Sequence, residues 1–284
     1  VTGRVRVLRS MNLAAHPEPQ DGRTTFVLDD GREVDLRISV LPAIYGESVV
    51  IRLLDTNESL WNLEQLGLTA DDRQRIDDVM GRSHGMFLTT GPTGCGKSTT
   101  LYAMLLELRK QRINILTIED PVEFYIDEIQ QMQVNRAAGF TFASAMRNFL
   151  RHDPDVIMVG EIRDEETAAI AVESALTGHL LLSTLHTNTA ATTVTRLLDL
   201  GVEAYLLRAS LLAVMSQRLV RLTCTHCQEV EKVDAHVRGI LGVGAEEVFH
   251  IGRGCSHCDG LGVRKRRAVY EFMVVSPRIQ SLIV

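Results

Sequence analysis

The sequence predicts an α/β protein built on a doubly wound, mainly parallel sheet, with antiparallel strands before it and a metal-binding insert near its end. Three observations carry this. The octapeptide Gly91-Pro92-Thr93-Gly94-Cys95-Gly96-Lys97-Ser98 fits the G-x-x-x-x-G-K-[ST] phosphate-binding pattern, with a strand pattern before it and a helix pattern after it. Beyond it, short apolar runs alternate with helical periodicity, as in strands joined by crossover helices. Two Cys-x-x-Cys pairs then follow, Cys224/Cys227 and Cys255/Cys258.

The elements read as follows. Thr24 to Leu28, a turn at Asp29-Asp30-Gly31, and the alternation Val34, Leu36, Ile38, Val40 form one antiparallel pair, ended by Pro42. A further strand runs from Ser48 to Leu54, and Asp55 to Ser59 is a polar link. A helix from Ala70 to Gly81 leads into the buried strand Met86 to Thr90. The helix Thr99 to Lys110 follows the phosphate loop, with leucines at 101, 105 and 108. Next come a strand Ile113–Ile118, a helix Phe142–Arg151, a strand Asp155–Val159, a helix Asp164–Leu176, a strand Leu180–Leu185 and a helix Thr189–Leu200. A helical stretch from Tyr205 to Arg221 closes the core. No internal repeat or low-complexity tract is evident.

Composition bounds the function. With 284 residues, 45% hydrophobic and 23% charged, the chain is ordinary for one or two globular domains. No run approaches the ~18 apolar residues of a membrane span, and no signal peptide opens the chain. Folded-looking sequence at Val1 and the stop at Val284 suggest a piece of a longer protein. The net charge of −6 argues against a general nucleic-acid binder. The one basic run, Arg264-Lys265-Arg266-Arg267, reads as a solvated loop or as a contact for an acidic lipid or partner.

The phosphate loop defines the chemistry. Small residues let backbone N–H groups turn inward around phosphate oxygens, and the next helix presents its positive N-terminus. Gly91, Pro92, Thr93, Gly94, Cys95, Gly96, Lys97, Ser98 and Thr99 are the nucleotide-binding candidates. Lys97 would reach the β- and γ-phosphates, and the Ser98 hydroxyl would ligand Mg²⁺. Ligands of doubly wound sheets bind at the carboxyl ends of strands, where Glu119, Asp120 and Glu161 stand. A carboxylate there can hold Mg²⁺ or polarise the attacking water; the plainer reading is a cap or a surface ion pair, and Arg163 is close to Glu161. His179 and His186 bracket one strand and are either structural or placed to sense phosphate. Arg37, Arg52 and the pair Arg147 and Arg151, four apart on one helix, are either surface ion-pair partners or γ-phosphate contacts. The four paired cysteines read as a closed tetrathiolate zinc site, with free thiols or a redox pair as the alternative. The 27-residue spacer requires a small folded insert between the knuckles.

Together these motifs resemble the GspE/PilB-like secretion ATPases of type II secretion and type IV pilus assembly. The residues concerned are Gly91–Thr100, Glu119-Asp-Pro-Val-Glu-Phe124, Asp153–Asp164 and Thr177–Asn188. The resemblance runs nearly continuously from Pro19 to Pro277. It implies an ATP-hydrolysing enzyme with a RecA-like core over 58–222 and a truncated PAS-like module and linker over 1–57. A zinc subdomain would span 223–262, and a truncated C-terminal region would start at 263–284. It implies that Glu161 is catalytic, that Glu119 is a second acid near metal and water, and that His179 and His186 sit near the γ-phosphate. Arg37, Arg52, Arg147 and Arg151 fall where that family supplies γ-phosphate arginines. ATP, Mg²⁺ and Zn²⁺ are the implied cofactors. A homo-hexamer, peripheral at the cytoplasmic face of the inner membrane and joined to platform proteins, is the implied assembly, with no nucleic acid. The zinc insert favours secretion or pilus extension over pilus retraction. Cys95 stands where serine is commoner.

Overall fold

The computed structural model describes residues 19–29, 31, 33–55 and 61–284, and the chain divides into two compact units, Val1–Leu60 and Trp61–Val284. The expected 57/58 boundary and most of the 55–59 link lie outside the described residues.

In the first unit, β1 (Gln20–Val27), β2 (Glu33–Ala43) and β3 (Gly46–Asp55) form an antiparallel sheet in that order. Val34, Ile38 and Val40 bury one face of β2. Pro42 does not end β2 as expected. It pairs opposite Glu47, beyond Val40, the last residue of β2 that β1 reaches, so its missing N–H costs no ladder bond on that side. Arg23, Arg37 and Arg52 stand directly opposite one another across the three strands.

The second unit opens with α1 (Ala70–Met80), capped by Thr69. Then β4 (Gly85–Thr90), α2 (Lys97–Arg109), β5 (Ile115–Glu119), β6 (Gln130–Gln133), α3 (Phe142–Phe149), β7 (Val156–Val159), α4 (Glu165–Leu176), β8 (Leu180–Leu185) and α5 (Ala190–Asp199) alternate as predicted, apart from β6. The edge strand β6 is three glutamines and a methionine, which carry neither strand propensity nor apolar alternation. After α6 (Ala204–Ser210) come β9 (Leu211–Thr223), β10 (Gln228–Glu231), α7 (Ala235–Leu241), β11 (Phe249–Gly252), β12 (Val263–Val274) and α8 (Pro277–Gln280). The main sheet has the order β12-β9-β4-β8-β7-β5-β6, parallel throughout except for β12 against β9.

Every residue of β4, β5, β7 and β8 is buried, which is why their sequences run apolar without alternating. Ala168, Ala171 and Ala175 let α4 lie close to the sheet, while Phe142, Met146 and Phe149 pack α3 beside it. The helix expected from Tyr205 to Arg221 is corrected to one short helix and a long strand. The first half of β9 is covered on both faces and paired on both edges, so it lacks the period-2 signal. Within the segment 263–284, β12 pairs with β9 and forms the edge of the core sheet. Residues 224–262 thus leave and re-enter at one place, where Cys224 N–H donates to Gly262 O at 2.9 Å. The insert expected between the knuckles is β10, α7 and β11.

Gly252 and Gly262 meet backbone to backbone. A Cβ on Gly262 would lie 2.2 Å from Gly252 O, and Gly262 has φ +71°. Gly262→Ala is expected to destabilise the chain by about 1–3 kcal/mol. Urea unfolding checks this, and an unmoved midpoint would contradict it.

Candidate active site

The loop after β4 doubles back through Gly91, Gly94 and Gly96, with φ values of +139°, +75° and +92°. A Cβ on Gly91 would strike Gln217 O at 2.5 Å and Cys95 Sγ at 2.6 Å. Helices α1, α3, α4 and α5 each begin with a side-chain cap, from Thr69, Thr141, Asp164 and Thr189. Helix α2 begins at Gly96 with none. Its first-turn N–H groups, at Lys97, Ser98 and Thr99, therefore have no intrahelical or side-chain acceptor and face the cleft, an arrangement suited to a bound anion. Lys97 Nζ donates to Gly91 O at 2.9 Å and Pro92 O at 3.2 Å, and burial lowers its pKa from the usual lysine value.

The loop is held from below by β9. Gln217 Nε2 donates to Cys95 O at 2.9 Å, and its Oε1 accepts from Thr100 Oγ1 at 3.0 Å. Thr93, Gly94, Gly96, Lys97, Ser98 and Thr99 line the cleft, which encloses about 430 Å³. Gly91, Pro92 and the buried Cys95 shape the loop from behind and are not in its wall.

The far wall comes from the ends of β5, β7 and β8. Glu161, after β7, is 9% exposed. Its Oε2 forms an ion pair with Arg163, 2.5 Å from Nε, and lies 3.6 Å from His186 Nε2. Burial lowers the His186 pKa, nearby Lys97 adds to this, and Glu161 opposes it only in part. The balance favours the neutral imidazole, so its approach to Glu161 is weaker than that of Arg163.

Glu119, at the end of β5, is 4% exposed. It accepts from Thr117 Oγ1 at 2.6 Å, from Gln131 Nε2 at 3.2 Å and from the Tyr102 hydroxyl. Burial raises its pKa despite these three donors. Tyr102 Oη also accepts from Glu123 N–H at 3.2 Å, so one hydroxyl ties α2 to both β5 and the following loop.

Other expected residues are not brought to this cleft. His179 precedes β8 while His186 follows it, and six strand residues at ~3.3 Å each put the two at opposite edges of the sheet. Its Nδ1 lies 3.0 Å from Ser174 O, a structural contact at the end of α4. Within this chain His179 does not line the cleft with His186, because bracketing a strand separates two residues. Arg147 pairs with Glu166 on α4, and Arg151 donates to Asn148 Oδ1 at 2.6 Å. Neither lines the cleft. Arg37 and Arg52 lie in the first unit. Sequence reading passed over Tyr102 and Gln217, whose roles depend on partners 17 and 122 residues away. It met Arg163 only as a neighbour of Glu161.

The four paired cysteines converge. Cys224–Cys255, Cys227–Cys258 and Cys255–Cys258 have Sγ···Sγ separations of 3.9, 3.8 and 3.7 Å. A tetrahedron with zinc–sulfur bonds of ~2.3 Å has edges of ~3.8 Å, so the sulfurs fit one such ion and are too far apart for disulfides. Backbone N–H groups of Gly254 and Gly262 donate to Cys227 Sγ at 3.3 Å and Cys258 Sγ at 3.2 Å, as thiolate ligands require. His226 and His257 stack with centroids 3.9 Å apart, and neither joins the sulfur cluster.

Fold and site together define a P-loop protein whose nucleotide cleft opens at the carboxyl edge of a parallel sheet. The family model described as type II/IV secretion system protein matches residues 1–284, and the chain belongs to that family. Type II secretion system protein E of Pseudomonas aeruginosa is 48% identical over 285 residues, covering 100% of this chain and 57% of that protein. The type IV pilus assembly ATPase PilB of Thermus thermophilus is 46% identical over 284 residues, covering 99% of this chain and 32% of PilB. Among solved structures, the pilus retraction motor PilT with bound ADP superposes with a TM-score of 0.67 at 29% identity, covering 93% of this chain and 66% of that one. The ATPase DotB of Legionella pneumophila gives 0.69 at 25% identity, over 94% of this chain and 65% of that one. The chain spans little more than half the length of the type II secretion relatives.

Two outcomes follow from this geometry. Tyr102→Phe leaves buried Glu119 without one of its donors and should cost about 1–3 kcal/mol, read by chemical denaturation. His186 has a folded pKa below its unfolded value of 6.5, so the unfolded chain binds more protons between the two. Stability is therefore lost as pH falls through 6.5 toward the folded value, and His186→Gln should flatten that slope.

Proposed function

We propose that this chain is the nucleotide-hydrolysing part of an ATP-driven motor that assembles a pseudopilus for protein secretion, as in type II secretion. The observation that carries this reading is the uncapped start of α2 sharing one cleft with Glu161. The first offers backbone donors to a phosphate chain, and the second offers a carboxylate to the water beyond its end. Lys97 would move from its own loop carbonyls to the β- and γ-phosphates, and Ser98 would hold Mg²⁺, which neutralises charge on the phosphate oxygens. Glu161 would orient the water and accept its proton, and His186 would offer a neutral N–H or lone pair beside it. Glu119, already saturated with donors, would act by keeping the wall of the cleft in place.

The wider reading follows the relatives. Here Arg37 and Arg52 would belong to a PAS-like module and act as γ-phosphate arginines. Arg147, Arg151 and His179, remote from this chain's own cleft, would serve a neighbouring copy in a hexamer. The hexamer would work at the cytoplasmic face of the inner membrane, on platform proteins and without nucleic acid. Zn²⁺ would close the four-sulfur cluster and stabilise the insert. Type IV pilus extension is a second reading, supported by the 46% identity to PilB.

Glu161→Gln should keep ATP binding and lose turnover by ~10²-fold or more, measured as phosphate release. Unchanged release would remove Glu161 from the chemistry. Lys97→Ala should instead weaken nucleotide binding itself. Treatment with a strong chelator should release one zinc per chain and lower the melting temperature. Metal analysis finding no zinc would end that assignment.

A further inference from the structure

Arg163 lies on the loop between β7 and α4, and its side chain lines the same cleft as Lys97 and Glu161. Between Glu161 and Arg163, Ile162 is buried, and its N–H donates to Thr184 O at 3.0 Å. The backbone of this tripeptide is thus pinned to β8, leaving side-chain rotation as the available movement. The Arg163 side chain is 60% exposed, whereas that of Glu161 is 12% exposed. The arginine side of this pair faces solvent, where water and anions compete for the guanidinium, while the carboxylate stays in the wall.

Charge in the cleft gives the exchange a direction. Among the described lining residues, Lys97 and Arg163 are the lysine and arginine side chains, and burial disfavours the charged form of His186. Of the acids, Asp120 pairs with Arg136 at 2.6 Å, and Glu119 is occupied by three donors. Arg163 approaches Glu161 at Nε. Its terminal nitrogens suit a two-pronged contact with phosphate oxygens.

We propose that Arg163 distinguishes triphosphate from diphosphate in this cleft. Its guanidinium leaves the Glu161 carboxylate for the terminal phosphate, freeing Glu161 to orient water only when that phosphate is present. A diphosphate ends one phosphate short and leaves the Arg163–Glu161 pair closed, which suppresses idle chemistry. This inference rests on the nucleotide reading above and adds a discriminating residue to it.

The experiment is equilibrium binding of ADP and of a slowly hydrolysed ATP analogue, each with Mg²⁺, to the chain and its variants. Arg163→Gln should weaken analogue binding about tenfold or more while ADP affinity stays within about twofold. Arg163→Lys should restore part of the loss. Glu161→Gln should tighten analogue binding by freeing Arg163, and the gain should vanish in the double variant. An Arg163→Gln chain that loses both ligands equally, or neither, overturns the proposal. A parent chain that binds neither nucleotide brings down the nucleotide reading itself, and this inference with it.

Discussion

Strand β4 pairs in parallel with β8 on one flank and β9 on the other, and this pairing determines where every polar group of the cleft emerges. Thr90 stands opposite both Leu185 and Ser216, so the phosphate loop and His186 leave the sheet at the level of Gln217 in β9. The register continues outward: Val159 pairs with Ser183 and Ile118 with Val159, placing Glu161 and Glu119 at the same edge. These strands are covered on both faces, so a one-residue slip would exchange their packing faces and strand the chemistry. Burial specifies register, and register assembles the site.

Within the cleft, fixed groups differ from exchangeable ones by their burial. Glu119, Tyr102 and Gln217 are deeply buried and fully bonded, so removing any partner leaves a desolvated polar group. They hold α2, the loop after β5 and β9 as one frame. Arg163 and His186 are half-exposed or more and rest on single contacts. Rigid polar scaffolding surrounds a few side chains that can change partners.

Much of this was legible in the sequence because it is local. The phosphate loop is contiguous, Glu119 and Glu161 end apolar runs, and the cysteine knuckles each place two sulfurs within three residues. The alternating strands and helices were legible for the same reason. What escaped depends on pairing across long separations. Strand β9 is buried on both faces and looks helical until β4 and β12 are known to flank it. Strand β12 joins the core only through β9, and the polar edge strand β6 has no pattern to read. Tyr102 looks like one more apolar position of α2, yet its hydroxyl anchors the next strand. His179 lies away from His186 for a geometric reason, since seven positions along a strand run from one edge of the sheet to the other. The opposition of Arg37 to Arg52 follows only from the hairpin register.

The base of the cysteine module has an architectural consequence. Residues 224–262 depart from β9 and return into β12 at one backbone hydrogen bond, between strands separated by ~4.8 Å. A segment attached at two such close points imposes no spacing requirement on the sheet that carries it. Anything whose ends meet at that distance, from a tight turn to a larger domain, can be spliced there while the phosphate loop keeps its support from Gln217. The ribbon works as a socket, and this chain has filled it with a fold gathered around four cysteine sulfurs.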